Sequence, residues 1–306
     1  MTPASTFLDP VDLGRIADLQ LIARTVVAGV HAGIHKSLHT GTSAEFAQYR
    51  SYAQGDDTRF VDWHLFARTD RLHVKQFHEE HSLRSTVLLD CSGSMGYGSG
   101  ELTKFRYAQM LAACLALLLT NQHDAIGFAA YHSELKTYIP ARKRPAHLRR
   151  VLTEIENQQP EGETDTASTL RTMGDVLPPR GMVVLIADLL HPIDQVESHL
   201  RSLRARRHDV IVFQISDPAE ETFPFDRATT FIDRETGSEQ FAVPDAVRTA
   251  YLENRKRHYD RIDQICAESE IHIEKLLTTT PLDAALTAFI NRRRKGLYTS
   301  SLRRNA

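Results

Sequence analysis

A doubly wound, mostly parallel α/β sheet flanked by helices, of Rossmann-like type, is the fold this sequence predicts. Three observations carry it. Val87-Leu88-Leu89, Met182 to Ala187 and Val210 to Ile215 are continuous apolar runs rather than alternating ones, as strands buried on both faces of a parallel sheet are. Helical patterns separate such runs from residue 85 onward, which is the rhythm of βα units. The first two runs end in aspartates, Asp90 and Asp188, at the strand end where open α/β sheets gather their ligands.

Composition sets the limits. The chain has 306 residues, 42% hydrophobic and 25% charged, enough for one large domain or a domain with a smaller one appended. Lys+Arg is 37 against Asp+Glu at 39, a net charge of -2, so nothing calls for a nucleic-acid partner. Cys91, Cys114 and Cys266 are scattered, with no Cys-x-x-Cys. That spacing argues for a reducing compartment and against a disulfide scaffold or zinc knuckle. The start of the chain lacks a basic stretch followed by an apolar core, so no signal peptide is expected. The longest apolar run, within 110–119, is too short to span a bilayer. The expectation is a soluble, cytoplasmic protein without a membrane span.

The elements follow in order. Asp9 and Pro10 read as a helix start, cap then first-turn proline, for an apolar period over 11–36. His31, His35 and His39 recur every fourth residue there. No acidic or Cys ligand accompanies them, and surface or hinge histidines are the reading adopted. Residues 41–82 mix aromatics, charges and turn residues, with Gly55-Asp56-Asp57 as a turn and 71–77 alternating like a half-buried strand. This predicts a small β-rich or mixed segment ahead of the sheet. Thr103 caps a helix expected over 104–121, and 125–131 and 135–139 read as strands. Helices are expected near 146–157, 166–177 and 193–206, a hairpin over 229–243 around Glu235-Thr236-Gly237, and a long helix near 244–268. A last strand at 271–276 and a last helix near 281–293 end in the basic cluster Arg292 to Lys295, which suits a helix C-terminus and a solvated tail. The domain reading is 1–82 for the N-terminal helix and small segment, 83–295 for the α/β domain, and 296–306 for a basic tail.

The chemistry centres on Asp90-Cys91-Ser92-Gly93-Ser94. A carboxylate at a strand end, followed by hydroxyls at alternate positions, offers hard oxygens only. Mg²⁺ takes such oxygens in near-octahedral geometry and keeps some of its waters. Gly93 is read as the residue that lets the chain turn tightly. Between the two aspartate-ended strands lies the polar loop Glu161-Gly162-Glu163-Thr164-Asp165-Thr166, just before a helix. In a parallel sheet these three points converge at the carboxyl edge.

This set resembles the metal-ion-dependent adhesion site of von Willebrand factor A domains: Asp-x-Ser-x-Ser, a loop threonine, then an aspartate after a later strand. Carried over residue by residue, the resemblance implies Asp90, Ser92, Ser94, Thr164 and Asp188 as ligands of Mg²⁺ or Mn²⁺. Thr164 is preferred to Thr166 because Gly162 stands two residues before it. The chain beyond the site also resembles the family called domain of unknown function 58. The resemblance rests on Gly41 to Phe46, Arg50-Ser51-Tyr52, Gly55-Asp56-Asp57-Thr58-Arg59, Asp62-Trp63, Asp217-Pro218-Ala219-Glu220 and Asp233-Arg234-Glu235-Thr236-Gly237. It implies a von Willebrand factor A-like domain and, as partner, a MoxR-type AAA+ ATPase.

The reading that follows is a non-enzymatic, metal-dependent protein–protein interaction module. The alternative is an Asp90-dependent metal phosphohydrolase. Such enzymes use Asp-x-Asp, whereas Ser92 fills the second position here and supplies no general acid. No Gly-x-Ser-x-Gly elbow and no Gly-x-x-x-x-Gly-Lys loop appears.

Overall fold

Asp9 caps a short helix, α1 (Pro10–Gly14), in the computed structural model. The structure describes residues 9–38, 49–52, 61, 63–75, 83–191 and 193–291; at 32–38, 49, 50, 64, 74 and 75 it describes the backbone alone. The continuous helix expected over 11–36 is in fact two, because α2 (Leu19–Leu38) starts afresh. The break lies at Asp18, whose Oδ1 accepts the amides of Gln20 at 2.7 Å and Leu21 at 3.1 Å. A second N-cap therefore interrupts an apolar period that runs on past it. His31 lies on α2, while His39 falls outside the described residues.

By its internal contacts the chain divides into two units, Met1–His31 with Leu83–Ala306, and Ala32–Ser82. In the smaller unit β1 (Tyr49–Ser51) pairs antiparallel with β2 (His73–Lys75), Arg50 opposite Val74, and α3 (Trp63–Thr69) lies between them in sequence. The Gly41 to Phe46 stretch, the Gly55-Asp56-Asp57 turn and the basic cluster Arg292 to Lys295 lie outside the described residues.

The larger unit holds β3 (Arg84–Asp90), α4 (Lys104–Asn121), β4 (Ala125–Tyr131), β5 (Leu135–Arg142), α5 (Pro145–Asn157), α6 (Thr166–Val176), β6 (Met182–Ala187) and α7 (Ile193–Ala205). There follow β7 (Asp209–Ser216), α8 (Pro218–Thr222), the hairpin β8 (Thr229–Ile232) and β9 (Glu239–Ala242), α9 (Pro244–Glu268) and β10 (His272–Leu277). A last helix, α10, covers 282–291. α1 and the start of α2 go with this unit, where Arg15 pairs with Glu101 at 2.7 Å.

The main sheet has six strands in the order β10-β7-β6-β3-β4-β5. All its neighbours are parallel except β4 and β5, which form an antiparallel edge. The chain starts at β3, winds outward through β4 and β5, then returns to β6 on the other side of β3. The fold is therefore the doubly wound, mostly parallel α/β class. Its switch point lies between β3 and β6, where crossovers leave to opposite sides and open a crevice.

Helices cover both faces. On one, Leu88, Leu185 and Val212 pack against Leu170 and Met173 of α6, Val196 and Leu200 of α7, and Ile262 and Ile265 of α9. On the other, α4 lies against the central strands and α5, and Phe213 of β7 meets Phe289 of α10 with ring centroids 6.0 Å apart. The side chains of α4 are buried nearly all round, as in a helix held between a sheet and further helices. Among the described residues no helix is long and apolar enough to cross a membrane. Leu88 is 0% exposed at the centre of the sheet. Leu88→Ala should cost about 2–5 kcal/mol of unfolding free energy, read as a lower denaturant midpoint with unchanged slope.

Candidate metal centre

Register brings the two strand-end aspartates together. Leu89 of β3 stands opposite Ile186 of β6, so Asp90 and Asp188 end neighbouring parallel strands on the carboxyl edge. Both are 1% exposed. Immediately after Asp90 the chain passes into a 3₁₀ turn, Gly93–Gly96, with Ser92 at its cap. The Ser92 amide folds back and donates to Asp90 Oδ1 at 2.9 Å, and the hydroxyls of Ser92 and Ser94 lie 3.0 Å apart.

The loop before α6 is laced onto this turn by backbone hydrogen bonds. The Gly93 amide donates to Gly162 O at 2.8 Å and the Glu161 amide to Cys91 O at 2.9 Å. Gly162 sits at φ +70, a left-handed conformation that glycine takes without a Cβ clash. Two residues on, the Thr164 hydroxyl donates to Asp90 Oδ1 at 3.3 Å. The Thr166 hydroxyl instead meets the buried Tyr131 hydroxyl at 3.3 Å. Asp165 caps α6 through the Ser168 amide, which fixes the order: Thr164 faces the cluster and Thr166 the core.

Asp90, Ser92, Ser94, Thr164 and Asp188 are thus all gathered at the switch point. The donor set is oxygen only, two carboxylates and three hydroxyls, which is the chemistry Mg²⁺ and Mn²⁺ accept. Cys91, next in sequence, turns inward and gives its thiol to Leu89 O at 3.6 Å. Among the described residues no three His, Cys, Asp or Glu side chains converge on one point, so a cation here would lean on hydroxyls. Burial, with the Asp188 carboxylate beside it, pushes Asp90 up to about 7. A buried carboxylate in that state is short of positive charge, and a divalent cation would supply it.

Sequence reading missed Lys104. It is 0% exposed, and its Nζ donates to Asp188 Oδ2 at 2.8 Å and to Glu220 Oε1 at 2.6 Å. Burial would lower this lysine, but the two carboxylates outweigh it and raise it. The signal was in the sequence. Lys104 directly follows the cap Thr103, and a cation in a helix's first turn opposes the helix dipole. Glu220 in turn closes a capping box with Asp217 on α8, and Asp217 Oδ2 accepts the Ser99 amide at 2.9 Å. Gly93 also has a different role from the one expected. It is not among the residues with positive φ. A methyl group built on it would come within 2.3 Å of the Arg234 carbonyl oxygen, so glycine is required there by close approach of another chain segment.

The profile of the family described as "Protein of unknown function DUF58" matches residues 48–261. Uncharacterised proteins of Mycobacterium tuberculosis and Mycobacterium bovis are 27% identical over 292 residues, covering 94% of this chain and 92% of theirs. Among solved structures, the conserved hypothetical protein BatB from Bacteroides thetaiotaomicron is 11% identical, covering 70% of this chain and 99% of its own, with a TM-score of 0.48. An aerotolerance-related membrane protein from Bacteroides fragilis is 15% identical over 69% of this chain and 97% of its own, with a TM-score of 0.49. The SpRpn10 VWA domain is 8% identical over 67% and 94%, with a TM-score of 0.40.

The Lys104 network gives a test of its own. Lys104→Met leaves Asp188 and Glu220 without their cation and should cost about 3–5 kcal/mol of stability near neutral pH, measured by denaturant unfolding in chelator. A loss below about 1 kcal/mol would show that the ammonium does not compensate these carboxylates.

Proposed function

We propose that this chain, which belongs to the DUF58 family and carries a von Willebrand factor A-like domain, is a non-enzymatic protein interaction module whose contact depends on a divalent cation. One observation carries the reading: Asp90, Ser92, Ser94, Thr164 and Asp188 meet at the carboxyl edge of adjacent strands. These residues would hold Mg²⁺ or Mn²⁺. A cation held mainly by neutral hydroxyls keeps net positive character and accepts a carboxylate from a partner. The partner the resemblance implies is a MoxR-type AAA+ ATPase.

The phosphohydrolase alternative has less support. Asp90 is placed as a nucleophile would be, but the second position holds Ser92, 3.0 Å from the Ser94 hydroxyl. Neither group is an acid that could protonate a leaving oxygen.

Titration calorimetry tests the metal. Wild type should bind Mg²⁺ or Mn²⁺, and Asp90→Ala should weaken binding by about tenfold or more. Equal affinity in both proteins would place the ion elsewhere. Co-purification with the candidate ATPase tests the contact. It should occur in Mg²⁺ and fail in chelator and with Ser92→Ala. Capture that survives the chelator and the substitution would separate the partner from the metal site.

A further inference from the structure

The hairpin β8–β9 is not needed to complete the sheet, yet its tip lies on the candidate site. The Arg234 carbonyl occupies the space a Cβ on Gly93 would need, 2.3 Å from that position. The Arg234 guanidinium lies over Gly96, 3.3 Å from where its Cβ would stand. Glu235, next in sequence, meets His191 with Oε2 to Nε2 at 3.7 Å, and its side chain is only 14% exposed. His191 stands three residues after Asp188. The tip therefore touches both walls of the crevice, the serine turn after β3 and the loop after β6.

The placement is built in at both ends of the hairpin. At the root, Phe231 of β8 packs on Phe223 at 5.7 Å and Phe225 at 5.2 Å, and Tyr251 of α9 on Phe223 at 4.7 Å. Arg248 of α9 ties the same segment through the Phe225 carbonyl at 2.6 Å. At the tip, Asp233 Oδ1 accepts the amides of Glu235 at 2.8 Å and Thr236 at 3.3 Å. Gly237 closes the turn at φ +71. Glu235 is thus presented from a braced turn.

We infer that this hairpin is a built-in cover for the metal site, and that Glu235 supplies from within the chain the carboxylate that a partner would otherwise bring. The inference rests on the metal reading above and names how that site is regulated. A partner's Asp or Glu then competes with Glu235, and the hairpin must yield for the contact to form.

Mn²⁺ is the probe, with wild type, Asp90→Ala, Glu235→Gln and Glu235→Ala compared by calorimetry and by water proton relaxation. Wild type should bind, and Asp90→Ala should bind about tenfold more weakly or worse. Both Glu235 variants should bind about tenfold more weakly, and their bound Mn²⁺ should relax water faster, because a water takes the vacated position. Glu235→Gln keeps the shape of the tip, so a folding defect confined to the alanine variant leaves the test intact. Unchanged affinity and relaxation in both Glu235 variants would overturn the inference and leave the metal reading standing. Absence of Mn²⁺ binding in wild type would overturn both.

Discussion

A carboxylate taken out of water must be compensated, and at the carboxyl edge of this sheet three strands in a row lead into one. Asp90 ends β3, Asp188 follows β6 and Asp217 follows β7, each 1% exposed. The fold solves the same problem in three ways. Asp217 uses dipoles: its oxygens accept the amides of Ala219 and Ser99 at 2.8 and 2.9 Å. Asp188 uses an ammonium, Lys104. Asp90 receives the Ser92 amide and the Thr164 hydroxyl, both neutral, and forms no ion pair among the described residues. It is the one left short of charge, and it stands at the switch point, where a ligand has room to enter.

The other two solutions are what hold that arrangement in place. Lys104 opens α4 and reaches Asp188 beyond β6 and Glu220 on α8. The same Glu220 receives the Asp217 amide at 2.8 Å. A helix, two strand ends and a cap are thus tied through one buried cation. An isolated buried pair is weak evidence for stability. Here its use is positional: it fixes the loop after β6, and with it the far wall of the crevice.

How much of this could be read in advance depends on range. Apolar runs mark β3, β6 and β7 because a strand buried on both faces has no polar side to show. Thr103 and Asp9 announce helix starts because caps are local chemistry. Asp-x-Ser-x-Ser and its loop threonine are legible for the same reason, and the threonine two residues after Gly162 is the one whose hydroxyl meets Asp90. What was hidden is contact across long stretches of chain. Gly93 is 141 residues from Arg234, whose carbonyl it admits, and nothing in a tight serine turn tells of a hairpin lying over it. Lys104 is out of place in a helix's first turn, but its partners Asp188 and Glu220 lie far along the chain and are met only in the fold. The break at Asp18 failed for another reason: an apolar period of 3.6 carries on through a short interruption, and only the cap betrays it.

Charge at the edge also bears on which ligand the site suits. Asp90 and Asp188 line it, Lys104 is shared between Asp188 and Glu220, and Glu235 stands at its mouth against His191. A phosphate ester would bring two negative charges into this field. One divalent cation, held by Asp90 and Asp188 as well as by hydroxyls, would keep positive character enough for one negative charge rather than two. A single carboxylate asks for less. It brings one charge and needs one coordination position, and Glu235 is a group of that kind held at the crevice mouth. Exchange of one carboxylate for another changes the net charge of the site by nothing. The step from covered to engaged then turns on geometry, on whether a partner's acid or the hairpin's own is the better placed.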